Sequence, residues 1–454
     1  SLTETRRASV HLLNETSPQS HSSLPTSNLY PTGWSVAEQL PPLTIPVKHR
    51  TSSSYLLTLP AIRSLIGENP PGLFFQLESK HPVPKGLSLD GLSMVTQSRA
   101  TLDLTQQHTD ELVSSFFATA HTNHPLLDRE EFEAIYFSFL HSEPDTSIEC
   151  ALCMIVFSLG AVASSSQSPD FDESPPGIQY MQRALPTLIS LSSWSFTSSL
   201  LLPQALVLAS LYFAYIVRPL QSWKLIQAAS SNLQLRLSGM NTHTESSSSK
   251  EAIIRLFWSC FLIECDRLAE LELPRSGLQQ LTDSISLPDC TNLDMRQSTC
   301  YLAEITVRRL LNRIHNSLYP SKRNSLDTSP IALRAPEDLT TDEVLPIMAV
   351  CDELYSQLET WHSSIPEVCR PALATTSLEG YSHREAILRI RYYAARHIIW
   401  RPFVIHIATH GMDAASSAVY ERAVLCLDSC RNYILNTTAI LQRPSLYTWT
   451  FSLS

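Results

Sequence analysis

Apolar side chains recur at the three- and four-residue spacing of a helix from about residue 105 to the end of the chain. The first such face, in TDELVSSFFATAHTNH, comprises Leu112, Val113, Phe116, Phe117 and Ala120. The stretch CALCMIVFSLGAVA (150–163) is apolar on all sides, which is typical of a helix inside a core. Valine–isoleucine–threonine alternation is nearly absent, so the pattern predicts no strand. We therefore expect an all-α protein, with a large multi-helix single-domain body (an α-helical array) over residues 106–454.

Residues 1–105 lack this pattern and are rich in serine, threonine and proline. Prolines in LPPLTIPV (40–47) and ENPPGLFF (68–75) exclude long helices there, because proline blocks the preceding turn. We expect a flexible arm with local docking segments. The candidate docking side chains are Trp34, Leu56, Leu57, Phe74 and Phe75.

Further helices are expected along the rest of the chain. They begin with one capped by Asp128 and continue in IQYMQRALPTLISL, LPQALVLASLYFAYIV and LQSWKLIQAASSNLQLRL, over 251–271, and near 298–318, 342–363, 380–410 and 414–436. The stretch LLLPQALVLASLYFAYIV (200–217) approaches the length of a membrane span. Pro203 and Gln204 near its start, and the lack of a companion span, favour a buried helix and no membrane.

Composition narrows the class of protein. The chain has 454 residues, of which 43% are hydrophobic, with only 11 glycines, so glycine-rich phosphate-binding α/β folds are disfavoured. Its formal net charge of -10 disfavours a domain that binds the phosphate backbone of a nucleic acid. Ten cysteines are spread through apolar stretches and no secretory signal opens the chain, so we expect reduced thiols in the nucleus or cytoplasm.

The segment HTNHPLLDREEF (121–132) combines two histidines with several acids. A metal or acid–base site would need a further ligand or an activated water, and the spacing supplies neither. The alternative is a joint between two helices, in which His121 and His124 end the first helix. Asp128 and Glu131 then cap the second. We favour the joint.

Other metal-like spacings are weak. Cys150-Ala-Leu-Cys153 lies in an apolar helix without a second such pair, and His406 and His410 form a lone pair one turn apart. No phosphate-binding loop, nucleophile elbow or complete deaminase signature is present in the sequence. We expect no metal and no cofactor.

Arginines and aromatic residues alternate in RIRYYAARHIIWRPFVIHIA (389–408). Such a helix could line a groove for nucleic acid. The alternative is a core helix whose arginines pair with acids of neighbouring elements, such as Asp266 and Glu264. The negative net charge favours the second interpretation.

The order of these segments resembles the fungal-specific transcription factor regulatory domain, the middle homology region of zinc-cluster transcription factors. The resemblance covers roughly residues 109–410. It is carried, in order, by HTNHPLLDREEF, LPQALVLASLYFAYIVRPLQSWKLIQAASSNLQLRL, RLFWSCFLIECDRL followed by ELPRSGLQQLTDSISLPDC, and RIRYYAARHIIWRPFV.

Two departures from the family pattern stand out. Leu273-Pro274-Arg275 replaces the usual Gly-Arg-Pro, and no cysteine precedes Cys150, so the sequence contains no zinc cluster. The resemblance implies a nuclear regulator, often of a metabolic gene cluster, with no catalytic residues. DNA would be contacted only through a module absent from this chain.

The leading hypothesis is an effector domain that senses a small apolar metabolite or a partner protein and forms a homodimer or a heterodimer with another regulator. A helical body with aromatic inner helices can enclose a pocket. The candidate lining residues are Tyr212, Tyr215, Trp223, Phe257, Trp258, Tyr392 and Trp400.

Two alternatives remain open. A regulator-like body recruited as an isomerase, cyclase or dehydratase on a hydrophobic metabolite would use an acid–base pair in an apolar pocket. Its candidate groups are His121, His124, Asp128, Glu264 and Asp266. A co-regulator that does not itself bind DNA is the other alternative.

Overall fold

The computed structural model describes residues 50–87, 102–165, 174–196, 199–239, 247–319, 344–373 and 382–453. Every regular element among them is helical, which confirms the all-α prediction. The helices are Ser53–Leu56 (α1), Pro60–Ile66 (α2), Leu73–Lys80 (α3), Gln106–Ala118 (α4), Ala120–Asn123 (α5), Arg129–Leu140 (α6), Ile148–Ser164 (α7), Ile178–Trp194 (α8), Leu201–Tyr215 (α9), Pro219–Gly239 (α10), Ser247–Leu268 (α11), Met295–Leu318 (α12), Val344–Ser364 (α13), His383–His410 (α14), Ser417–Leu441 (α15) and Thr448–Leu453 (α16). Two short 3₁₀ turns, Leu278–Leu281 and Met412–Ala414, lie between them.

Helix α7 is the centre of the N-terminal half. The side chain of Ser147 caps it by accepting from the backbone N–H of Cys150, and its residues from 150 to 160 are all buried. Helix α4 crosses α7 so closely that a Cβ atom on Gly160 would lie 2.1 Å from the carbonyl oxygen of Leu112. The glycine therefore permits a backbone-to-backbone approach that no other residue allows.

Helix α9 is the stretch of near-membrane-span length, and it is buried in protein from Leu202 to Tyr215. Its few polar groups are satisfied internally, since Gln204 donates to the carbonyl oxygen of Leu126 at 2.8 Å and Ser210 donates to that of Ser222 at 2.9 Å. No helix in the described parts of the chain is long and apolar enough to cross a membrane.

Helices α14 and α15 form a long antiparallel pair in the C-terminal half. A capping box of Ser382 and Glu385 begins α14, and Gly411, with a φ of 87°, ends it and starts the turn into α15. Helix α14 is buried on nearly all sides, because α12, α13 and α15 all pack against it. A helix in this position needs apolar residues all round.

Residues 50–87 contact the C-terminal half of the protein. Arg401 of α14 donates to the carbonyl oxygen of Thr51 at 2.9 Å, and the backbone N–H of Ser53 donates to Glu270 at 2.8 Å. Trp449 of α16 donates to Glu78 of α3 at 3.1 Å. Of the expected docking side chains, Trp34 lies outside the described residues, and Leu56 lines the cavity described below.

Candidate functional site

The segment HTNHPLLDREEF is a joint between helices. Asp128 caps α6, as expected, by accepting from the backbone N–H groups of Glu130 and Glu131 at 3.0 and 3.2 Å. His121 spans the joint, with its Nε2 atom 3.0 Å from the carbonyl oxygen of Leu127 and its ring 4.9 Å from that of Phe117. These contacts account for Asp128 and His121 without any substrate, whereas Nδ1 of the buried His124 has no hydrogen-bond partner among the described residues.

Both histidines of the joint are neutral at physiological pH. Burial lowers the pKa of His121 to about 4, and it lowers the pKa of His124 to about 4 as well. A general base of such low pKa, with no access to solvent, is poorly matched to chemistry near pH 7.

Asp266 lies at the centre of a buried ion-pair cluster between α11, α12 and α14. Arg391 donates to one carboxylate oxygen at 2.6 Å, and Arg308 donates to the other. Burial would raise the pKa of the Asp266 carboxyl, but Arg391 and Arg308 lower it to about 2. The ion pair between Arg391 and Asp266 confirms the prediction that the arginine-rich helix is a core helix whose arginines pair with acids of neighbouring elements.

Glu304 of α12 holds a second ion pair beside the first. Arg384 donates to one of its oxygens at 2.8 Å and also to the amide oxygen of Asn123 at 3.0 Å, while Tyr447 donates to the other carboxylate oxygen at 2.6 Å. Arg391 lies 3.7 Å from the same carboxylate. The ion pairs of Asp266 and Glu304 therefore join the helix joint, α11, α12, α14 and the C-terminal segment.

Glu264, the other expected partner of the arginines, has a different role. It accepts hydrogen bonds from the hydroxyl of Ser276 at 2.8 Å and from Gln227 at 3.1 Å. Trp223 donates to the carbonyl oxygen of Pro274 at 3.2 Å. Glu264 therefore fixes the loop after α11, where the sequence departs from the family pattern.

A large apolar cavity lies between α14, α15, α16 and the segment of α1 and α2; we call it the C-terminal cavity. Its volume is about 890 Å³, within the range of small-molecule sites. Its described lining residues are Leu56, Leu59, Pro60, Ala61, Ile62, His397, Arg401, Val404, Ile405, Ala408, Thr409, Cys426, Leu427, Cys430, Tyr433, Ile434, Thr437, Thr438, Leu441, Phe451, Ser452 and Leu453.

Polar groups are few on the cavity wall. Arg401 donates to Nε2 of His397 at 2.7 Å, and the Nδ1–H of His397 therefore donates to the carbonyl oxygen of Tyr393 at 3.1 Å. A hydrogen bond with Cys426 lowers the pKa of the Cys430 thiol. Cys430 is also the one cysteine of the ten that is partly exposed, while the other nine are buried.

The seven aromatic residues expected to line a pocket occupy four helices: Tyr212 and Tyr215 on α9, Trp223 on α10, Phe257 and Trp258 on α11, and Tyr392 and Trp400 on α14. None of them lines the C-terminal cavity. They make core contacts instead; for example, Tyr212 donates to the carbonyl oxygen of Pro176 at 3.0 Å and Trp258 donates to that of Ser286 at 2.8 Å. The five acid–base candidates also lie outside the cavity wall.

The sequence interpretation placed pocket residues on α14 but on a different side of it. Trp400 packs against Tyr355 of α13, with ring centroids 5.4 Å apart, whereas the next residue, Arg401, lines the cavity. Helix α15 also lines the cavity, although no site on it is predicted from the sequence. Its signal was a second apolar face, visible in the sequence as Leu427 and Ile434, which are 59% and 62% exposed.

A small cavity of about 30 Å³ lies on the other side of Arg401, beside Glu270. Burial raises the pKa of Glu270 to about 8, although the N–H of Ser53 and the charge of Arg401 oppose this. Glu270 is therefore largely protonated at neutral pH.

Glu270 should make the protein less stable as pH rises. Its folded pKa lies above its ordinary value, so the folded state binds the extra proton and stability falls between about pH 5 and 8. In the wild type the free energy of unfolding should fall by an amount on the order of 3 kcal/mol across this window, and in Glu270→Gln this fall should be absent. Urea unfolding at both ends of the window measures it. The exposed Glu272→Gln should keep the wild-type pH dependence, and an unchanged dependence in Glu270→Gln would contradict the assignment.

In the described residues no group of three or more His, Cys, Asp or Glu side chains is arranged to hold a metal ion. The rings of His406 and His410 stack with centroids 4.5 Å apart. Cys150 and Cys153 are buried, and burial raises the pKa of both thiols.

Together these observations define an all-helical domain with an ion-paired core and one large apolar cavity formed near both ends of the described chain. The family described as the fungal specific transcription factor domain matches residues 113–363, which is more than half of the sequence. The chain belongs to this family. No curated protein and no solved structure matches it significantly.

Proposed function

We propose that this chain is the effector part of a fungal transcription regulator, that it acts in the nucleus, and that it responds to a small apolar ligand in the C-terminal cavity. The observation that carries the proposal is the cavity itself. It is large enough for a metabolite and has mostly apolar walls with few polar groups, which is the usual character of such sites.

The position of the cavity relative to the family domain supports a sensing role. All of its described lining residues lie outside the matched range 113–363. The matched residues form the scaffold, and the cavity forms where residues 56–62 meet α14, α15 and α16. A ligand there would bridge the N-terminal segment and the C-terminal helices, and binding would favour the arrangement in which they are held together.

Family membership supports control of transcription, and the resemblance to zinc-cluster regulators supports control of a metabolic gene cluster. DNA contact would then come from a module outside these residues, in this protein or in a dimer partner. The formal net charge of -10 agrees with a body that does not itself hold DNA.

The test is paired transcript and metabolite profiling in a strain lacking the gene. Loss of the protein should reduce the transcripts of a set of neighbouring genes together, and the wild-type gene should restore them. The variant Ala408→Trp fills the cavity from an exposed wall position, so it should fix those transcripts at one level whatever metabolite is supplied.

The matched control is Ala439→Trp, because Ala439 is also exposed and lies on α15 outside the cavity wall. It should behave as wild type. If transcripts hold steady in the deletion strain while one intermediate accumulates, the regulator proposal fails and an enzymatic role takes its place. If Ala408→Trp also behaves as wild type, the cavity is not the sensing site.

A further inference from the structure

The wall of the C-terminal cavity carries a single strong charge. Arg401 is the one lysine or arginine among its described lining residues, and none of them is an aspartate or glutamate. The rest of the wall is formed by aliphatic and aromatic side chains with a few hydroxyls and thiols. A cation on an otherwise apolar wall is expensive to desolvate unless an anion accompanies it.

The described contacts of Arg401 are with neutral acceptors. One Nη donates to the carbonyl oxygen of Thr51 at 2.9 Å, and the other donates to Nε2 of His397 at 2.7 Å. Burial lowers the pKa of His397 to about 3, so this partner carries no charge at neutral pH. Guanidinium has five N–H groups, and three of them remain for another acceptor.

The neighbouring acid does not supply the missing anion. Glu270 forms no ion pair with Arg401 within 4 Å in the described residues, and its carboxyl oxygen accepts the N–H of Ser53 instead. It lies on the wall of the small cavity behind Arg401, not on that of the C-terminal cavity. Three other arginines of α14 differ in this respect, since Arg384 pairs with Glu304, Arg391 with Asp266 and Arg396 with Asp428.

We propose that the ligand of the C-terminal cavity is an amphipathic carboxylic acid, with its carboxylate on Arg401 and its hydrocarbon part along α15 between Leu427 and Leu441. Planar guanidinium binds carboxylate through two parallel hydrogen bonds, and three N–H groups allow this without breaking the bonds to Thr51 and His397. This inference rests on the proposed function and adds the chemical class of the ligand.

The test is fluorescence titration of the purified full chain with cis-parinaric acid and, separately, with its methyl ester. The two probes share one hydrocarbon chain and differ in the carboxylate. Wild-type protein should bind the acid about 10- to 100-fold more tightly than the ester, the range expected of a charge-assisted pair. Arg401→Gln should lose this preference by weakening the acid alone, and Arg401→Lys should retain part of it.

Arg396→Gln is the matched control, because Arg396 lies on the same helix and its partner Asp428 is outside the cavity. It should bind both probes as wild type does. Ala408→Trp should weaken both probes, which locates them in the cavity. Thermal unfolding of each variant checks that the fold is intact.

Several outcomes would overturn the inference. If the wild type bound the acid and the ester with equal affinity, the proposal of a carboxylic acid would be rejected, while the proposal of an apolar ligand would still stand. An equal loss of both probes in Arg401→Gln would show that Arg401 shapes the cavity rather than binding a ligand group. Binding of neither probe rejects the acid class, while the transcript response to Ala408→Trp still decides the proposed function separately.

Two other occupants can be recognised in the same samples. A dimer in size-exclusion chromatography that dissociates in Ile434→Asp, with no probe binding, would place a second copy on the cavity. Probe binding that appears only after proteolytic removal of residues 1–49 would place that segment there. Either result overturns the inference.

Discussion

Asp266→Asn should destabilise the protein by about 3–5 kcal/mol, the range for breaking a buried ion pair from one side. The substitution keeps the shape of the side chain but leaves Arg308 and Arg391 without the carboxylate that they share. Both arginines are almost fully buried, so water cannot replace the lost charge. Urea unfolding at pH 7 measures the loss, and the variant should accumulate poorly in cells.

The control for this variant is Asp428→Asn. Asp428 also pairs with an arginine of α14, but its side chain is 50% exposed, so its removal should cost less than about 1 kcal/mol. A loss below 1 kcal/mol in Asp266→Asn would contradict the structural role of the cluster. A stable Asp266→Asn protein that lost activity on a metabolite would instead favour Asp266 as a catalytic group.

The helical architecture could be predicted from the sequence because each helix carries its own signals. Asp128 and Ser382 are caps that act within one turn. Pro125 lies two residues beyond the end of α5, although the break that ends α4 falls earlier, at Thr119. The joint HTNHPLLDREEF was likewise interpretable, since capping depends on near neighbours. The pairing of Asp266 with an arginine of α14 was expected because a buried helix rich in arginine needs acids nearby.

The candidate site could not be predicted in the same way. Helix α14 is apolar on every side, so its pattern does not say which face meets a cavity. Trp400 and Arg401 are adjacent in the sequence, yet one packs on α13 and the other lines the cavity. The partners of each arginine on α14 come from elements that are distant in the sequence. For Arg401 these elements are α15 and the segment at Thr51, so the sequence does not reveal that this arginine lacks an acid partner.

Gly160→Ala should also destabilise the protein strongly, by about 3 kcal/mol or more. In an ordinary helix this change would help by about 1 kcal/mol, since alanine is the better helix former. Here the new Cβ atom would lie 2.1 Å from the carbonyl oxygen of Leu112 and 2.8 Å from its carbonyl carbon. The helices α4 and α7 would have to separate, losing contacts along a closely packed interface.

The clash is with backbone, and this gives the prediction a sharp test. The double variant Gly160→Ala with Leu112→Ala should not recover stability, because shortening the Leu112 side chain leaves its carbonyl oxygen in place. Gly72→Ala is the matched control: its φ is 65°, but nothing lies within 4 Å of the added Cβ atom, so it should cost only about 1 kcal/mol of backbone strain. Recovery in the double variant would mean that the Leu112 side chain, not the backbone, sets the distance between α4 and α7.

Because Ser115 of α4 also donates to the carbonyl oxygen of Gly160 at 2.9 Å, separation of the helices should break this hydrogen bond as well. Hydrogen exchange in α4 should therefore rise in Gly160→Ala before the rest of the domain unfolds.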